Sequence, residues 1–203
     1  MPAQETEGLL SPWIRNIRLK KVASQIKPGS SLLDLGCGLG FLADFLPATC
    51  DYYGVDRLPF ERKWEPGDLE SVKGSRQRNF FNEDLLSESA VERIQAWLPG
   101  KVDYIAVIAF LEHLKKPARL LKGYMPLLNS GGCIVGTTPH PRGRKVHDTL
   151  ARMYLCSRAG AEEHEDFLGR AELKEVGKEV GAELIACPQF LWGLNQLFVF
   201  QAQ

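Results

Sequence analysis

Short apolar runs alternate along this chain with longer stretches whose apolar positions recur every three or four residues. The first such stretch spans 11–27. Ser11-Pro12 reads as a cap followed by proline at the first helical position. Trp13, Ile14, Ile17, Val22 and Ile26 then fall on one side of a helix, with Arg15, Arg18, Lys20, Lys21 and Lys27 elsewhere, until Pro28-Gly29 ends it. Leu32, Leu33 and Leu35 form a run of the length of a buried parallel strand. Residues 40–46 read as a short helix stopped by Pro47, 51–56 as a second strand, 79–81 as a brief third, and 88–97 as a helix. Residues 102–109, nearly unbroken in apolar side chains, suit a central strand covered on both faces.

A helix from Lys116-Pro117 runs through Leu120, Leu121, Tyr124 and Leu128 and is ended by Asn129-Ser130-Gly131-Gly132; Cys133 to Thr137 give a fifth strand. Helical spacing returns at 144–158 through Val146, Leu150, Met153 and Tyr154, and at 170–180 through Leu173, Val176 and Val180, with an acidic loop at 160–166 between them. The last two strands, 183–187 and 194–201, are joined by Pro188 to Gly193, a connection short enough to require antiparallel pairing. Residues 1–10 carry no periodicity and are expected to fray, and 57–78, with Pro59, Pro66, Gly67 and Gly74, read as a surface connection holding at most a short helix at 69–72. Strand and helix in alternation predict a doubly wound, mostly parallel sheet.

Within that pattern one stretch carries chemistry. The first strand ends in Leu33-Asp34-Leu35-Gly36-Cys37-Gly38-Leu39-Gly40, where the glycines let the backbone turn sharply and approach a ligand with no Cβ in the way. A helix opening behind the turn would present free N–H groups and favour an anionic ligand. Glycine-rich turns are common. This one is accompanied by Asp56, which ends the second strand about 20 residues after Gly36, the separation at which an α/β nucleotide-binding unit places the carboxylate that receives ribose hydroxyls.

With these residues the sequence resembles the class I S-adenosylmethionine-dependent methyltransferases. Residues 33–40 match that family's first motif, and Phe41 stands where an NAD-binding turn would carry glycine or alanine. The resemblance covers about residues 28–201 and implies a Rossmann-like α/β fold with seven strands, an antiparallel edge hairpin and helices on both faces, while the length of 203 residues predicts one domain over 1–203. It implies S-adenosyl-L-methionine as cofactor, with Asp34, Gly36, Cys37, Gly38 and Gly40 around the methionine part and Asp56 with Arg57 at the ribose. Asp84-Leu85 would lie near the adenine and Phe110 against the donor, while the alternative for Asp84 is a loop cap. Cys37 reads as a small filler rather than a nucleophile. The 11–27 helix would cover the site and 138–166 would face the acceptor, with Trp13 or Ile14 lining its mouth.

Composition narrows the partners. Lys plus Arg equal Asp plus Glu at 25 each, so no global positive field draws the chain to polynucleotides or acidic membranes. The cluster Lys73, Arg76, Arg78 reads as a solvated face. No apolar run reaches the length of a spanning helix, and no basic segment followed by an apolar core opens the chain, so a soluble cytoplasmic protein acting on a small molecule is expected. The five cysteines are odd in number and form no C-x-x-C pair, which argues against a disulfide framework or a thiolate zinc site. Oligomeric state is unreadable.

Methyl transfer from a sulfonium mainly requires alignment of the nucleophile and management of its proton. Candidates on the acceptor side are Glu112, His113, His140 and His164, with His113 alternatively a helix cap. The segment 164–173 also resembles the metal-using ubiquinone-biosynthesis and small-RNA terminal O-methyltransferases. Their Glu-x-x-Glu-His run lacks its first glutamate here, at Ala109, which weakens a metal set of Glu112, His113 and His164. The first reading is methyl transfer to an oxygen or nitrogen of a small molecule. The alternatives are metal-assisted O-methylation of a diol, or a donor-binding partner protein without catalysis.

Overall fold

The computed structural model describes residues 11–57, 78–143 and 168–203. The run at 31–35 becomes β1 (Ser31–Leu35), flanked on both sides by parallel neighbours, β2 (Asp51–Asp56) and β4 (Val102–Ile108). β3 (Arg78–Asn82) lies outside β2, and β5 (Leu128–Pro139) lies beyond β4, both parallel. β8 (Asn195–Ala202) runs antiparallel between β5 and β6 (Ala182–Ala186), and the two-residue β7 (Gln189–Phe190) pairs with the start of β8. The sheet order is therefore β3-β2-β1-β4-β5-β8-β6 with β7 off that path. This is the α/β, doubly wound sheet with an antiparallel edge that the sequence predicts, and the eighth strand is the short β7 inside the connection 188–193.

Alternation along β1 sends Leu32 to one face and Leu33 and Leu35 to the other. One face is covered by α1 (Ser11–Ala23) and the turn after β1, through Leu19, Val22, Leu42 and Ala43. The other is covered by α2 (Ala90–Trp97), α3 (Pro117–Tyr124) and α4 (Arg170–Val180), through Ile94, Leu121 and Leu173. α1 runs down the sheet. Its C-terminal half packs with Leu32 and Tyr104 near the strand beginnings, and Arg18 in its middle reaches Asn195, which pairs with Pro139 at the far end of β5. The N-terminal half of α1 thus overlies the carboxyl edge of the parallel strands, where open α/β sheets bind ligands.

Three elements depart from the sequence reading for local reasons. The first helix ends at Ala23 rather than 27, where the Ser24 hydroxyl donates to the Lys21 carbonyl and the next amides bond three residues back. Phe41–Phe45 is a 3₁₀ turn, pinned between Gly40 at φ 69° and Leu46, which the following Pro47 holds extended. The helix expected through Leu128 ends at Tyr124, because Pro126 lacks a backbone donor, and β5 then begins at Leu128 and absorbs the glycine pair in an irregular register. The helix at 144–158, the loop at 160–166, the short helix at 69–72, Lys73, Arg76, His164 and residues 1–10 lie outside the described residues.

Candidate active site

The loop after β1 is tied to the tip of β2. Gly36 and Cys37 both donate their N–H groups to the Val55 carbonyl, at 2.9 and 3.1 Å, and Gly38 donates to Asp56 Oδ2 at 2.8 Å. Gly36 needs to be glycine twice over. Its φ is +72°, and an added Cβ would lie 3.1 Å from the Phe110 ring. Gly38, at φ +53°, would point a Cβ at nothing within 4 Å, so the loop backbone borders open space there. Gly40 completes the turn by donating to the Cys37 carbonyl at 2.9 Å.

Phe110 reaches Gly36 because the chain turns abruptly at the end of β4. Ala109 takes φ 51°, a left-handed conformation costly for a residue with a Cβ, and its N–H donates to the Thr137 carbonyl at 2.9 Å. Strain of this kind persists only where surrounding structure enforces it. Here it aims Phe110 across the glycine loop.

The electrostatics of this corner revise one expectation. With only a 3₁₀ turn behind the loop there is no α-helical N-terminus, and the Gly38 amide is already taken by Asp56. The corner gathers carboxyl groups instead. Asp34 is 3% exposed, and burial raises its carboxyl to about 7 against the lowering effect of a 2.7 Å hydrogen bond from the Tyr52 hydroxyl, with Asp56 adding to the rise. Such a corner suits a cationic ligand better than a pyrophosphate. Cys37 fits as a filler: its Sγ lies 2.9 Å from where a Cβ on Gly54 would be, and burial, then Asp34 and Asp56, push the thiol far up, which keeps it protonated.

The residues expected near an adenine sit beyond β3. Asp84 is exposed and its Oδ1 accepts from the Leu86 N–H at 3.0 Å, the loop-cap arrangement. Leu85 sends its side chain into the core, and its carbonyl accepts from the Tyr124 hydroxyl at 3.2 Å. Glu83 is held down to about 2 by its hydrogen-bonded ion pair with Arg93. Arg57 is exposed next to Asp56.

Across the strand tips lies a second polar cluster. Glu112, in the 3₁₀ turn Leu111–His113 after β4, is 2% exposed and its Oε2 has no hydrogen-bonding partner among the described residues. Burial raises its carboxyl, opposed by Arg18, by His113 and by the Thr138 side chain. Arg18 Nε donates to Asn195 Oδ1 at 2.9 Å, and the buried Gln196 amide donates to the Leu168 carbonyl. Thr137, Thr138, Asn195 and Gln196 are all buried. His140 is pinned to the same edge: its N–H donates to the Leu194 carbonyl at 2.9 Å, and its Nδ1 accepts from the Arg142 N–H at 3.2 Å. Partial burial, then Arg142, lower its pKa.

The structure thus gathers Glu112 and His113, sets His140 on the adjoining loop, and adds Arg18, Thr137, Thr138, Asn195 and Gln196, which sequence reading passed over. One signal was available for the last two, since amides opening the apolar strand Leu197 to Phe200 are costly unless hydrogen-bonded. No group of three or more metal-ligating side chains occurs among the described residues. No helix among them is long and apolar enough to cross a membrane.

A glycine loop at the tip of β1, bonded to a carboxylate at the tip of β2 in a sheet of this order, is the arrangement of the class I S-adenosylmethionine-dependent methyltransferase fold, as the sequence resemblance implied. Residues 11–186 match the methyltransferase domain family, and the chain belongs to it. Among curated relatives, the ubiquinone biosynthesis O-methyltransferase of Cupriavidus pinatubonensis is 24% identical over 169 residues, 77% of this chain and 61% of the relative; the chain spans less than two thirds of that protein's length. Among solved structures, the pyocyanin biosynthetic protein PhzM aligns with TM-score 0.70 at 15% identity, over 96% of this chain and 57% of that one. The magnesium protoporphyrin IX methyltransferase of Synechocystis PCC 6803 with bound SAH aligns with TM-score 0.61 at 16% identity, over 95% and 83%. At such identities the structural likeness speaks to the fold.

Proposed function

We propose that this chain is the catalytic domain of a methyltransferase that uses S-adenosylmethionine to methylate an oxygen or nitrogen of a small molecule. The observation that carries the reading is the glycine loop with its Gly38 amide bonded to the Asp56 carboxylate and Asp34 buried beside it, a carboxyl-lined corner suited to a nucleoside with a positive charge and ribose hydroxyls. S-adenosylmethionine supplies a sulfonium methyl group with a good leaving group. Asp34, Gly36, Cys37, Gly38, Gly40 and Phe110 would hold its methionine part, Asp56 and Arg57 the ribose, and Asp84 with the Leu85 backbone the adenine. The name of the ubiquinone-biosynthesis relatives favours oxygen as the acceptor atom.

On the acceptor side Glu112 is the proton-handling group we favour. Burial raises its carboxyl, so it takes up a proton more readily than a surface glutamate, while Arg18 keeps its ionised form accessible. His113, His140 and His164 complete the acceptor side in this reading, with α1 over the cleft and residues 138–166 along its edge, in one domain over 1–203. Calorimetry tests the donor half: Asp56→Ala should weaken S-adenosylmethionine binding by about 1 to 3 kcal/mol through lost charged hydrogen bonds. Unchanged affinity would remove the ribose assignment. Release of S-adenosylhomocysteine with and without chelator separates this reading from metal-assisted transfer to a diol.

A further inference from the structure

The connection between β7 and β8 breaks a local rule. Leu191 and Trp192 sit at φ 51° and 56°, and the Gly193 N–H donates to the Phe190 carbonyl at 3.2 Å, the signature of a type I′ turn. The two central positions of that turn ordinarily carry Asn and Gly, because both need positive φ. Here they carry two large apolar side chains, and the second is a tryptophan that is 86% exposed. Sites where sequence contradicts local conformation are expected where function demands it.

Trp192 is not alone. Trp13, on the first turns of α1 and 48% exposed, faces it with ring centroids 6.4 Å apart and planes inclined by 33°. Both rings are positioned from one point: Arg18 of α1 bonds Asn195, which pairs with Phe190 at the base of the tryptophan turn. That point is the buried polar cluster, since Arg18 also acts on Glu112. Both rings therefore come from elements that meet at the carboxyl edge of the sheet, on the side where the proposed acceptor groups lie. Two rings clasping a flat molecule stand about 7 Å apart, twice the aromatic contact distance. At 6.4 Å the tilted pair is within the range of a direct ring contact, and rotation of either exposed side chain would open it to this spacing.

We infer that Trp13 and Trp192 form an aromatic clamp that grips a flat, conjugated part of the methyl acceptor, which makes planarity of the acceptor a specificity determinant. The inference rests on the acceptor cleft of the proposed function. Its test uses the whole chain with S-adenosylhomocysteine bound, and two bicyclic vicinal diols, flat 2,3-dihydroxynaphthalene and saturated cis-decalin-2,3-diol, titrated by calorimetry and tryptophan fluorescence. Wild type should prefer the flat probe. Trp192→Ala and Trp13→Ala should each weaken it about tenfold and leave decalin-2,3-diol unchanged, while Trp192→Phe should retain most of the affinity. S-adenosylhomocysteine affinity is the folding control and should not move in any variant. Failure of wild type to bind S-adenosylhomocysteine would remove the proposed function itself. Intact nucleoside binding with the flat probe bound no better by wild type than by W192A overturns the clamp alone, as would a wild-type dimer that W192A dissociates.

Discussion

Asp34→Asn is the substitution whose effect the structure fixes most tightly. Asp34 lies on β1 with its side chain on the α1 face, against Tyr52, Cys37 and Asp56. Burial lifts its carboxyl from 3.8 to about 7, so the folded state holds a proton that the unfolded chain releases above pH 4. A group whose pKa is raised on folding contributes its full stability below the unfolded value and loses it as pH rises to the folded one. At about 1.4 kcal/mol per pH unit, the loss between pH 4 and 7 is about 4 kcal/mol, of which about 3 kcal/mol falls between pH 5 and 8. The asparagine keeps an oxygen to accept from the Tyr52 hydroxyl and has nothing to ionise. Urea unfolding followed by circular dichroism should therefore find the variant more stable than wild type at pH 8, with the difference shrinking by a few kcal/mol at pH 5. Glu112, also raised, and His140, lowered, titrate in both proteins and cancel. A difference that does not change with pH would refute the account of Asp34 as a buried acid held near neutrality.

Gly36→Ala forces a Cβ to φ +72° and to within 3.1 Å of the Phe110 ring. The left-handed backbone alone should cost about 1 to 2 kcal/mol in thermal unfolding, together with a loss of S-adenosylmethionine affinity by calorimetry. Glu112→Gln should lower kcat while leaving donor affinity intact; equal loss of both would make Glu112 a folding residue. Leu191→Gly relieves a positive φ and should raise stability by about 1 kcal/mol in urea titrations without touching donor affinity.

The two halves of the site were unequally legible for a physical reason. The proposed donor half is local. Gly36, Gly38 and Gly40 are dictated by their own backbone, and Asp56 follows from a strand-to-strand spacing that the parallel unit enforces, so residue identity along 31–56 carries the geometry. The proposed acceptor half is assembled by topology: Arg18 meets Asn195 across 177 residues, and neither residue type announces the partner. Even the locally wrong expectation, a helix N-terminus for an anion, failed through two local constraints read separately, Gly40 and Pro47, whose combination leaves room for only five helical residues. The tryptophan turn was invisible because Leu191-Trp192 contradicts the turn chemistry a reader looks for. What placed it was the direction of β8. A parallel strand in that slot would bring its own last residues to the ligand edge. The antiparallel β8 brings its first ones, Asn195 and Gln196, and with them the turn that precedes it. The reversed strand next to the edge of this sheet thus delivers to the ligand edge a polar pair and an aromatic turn that no parallel βα unit could supply.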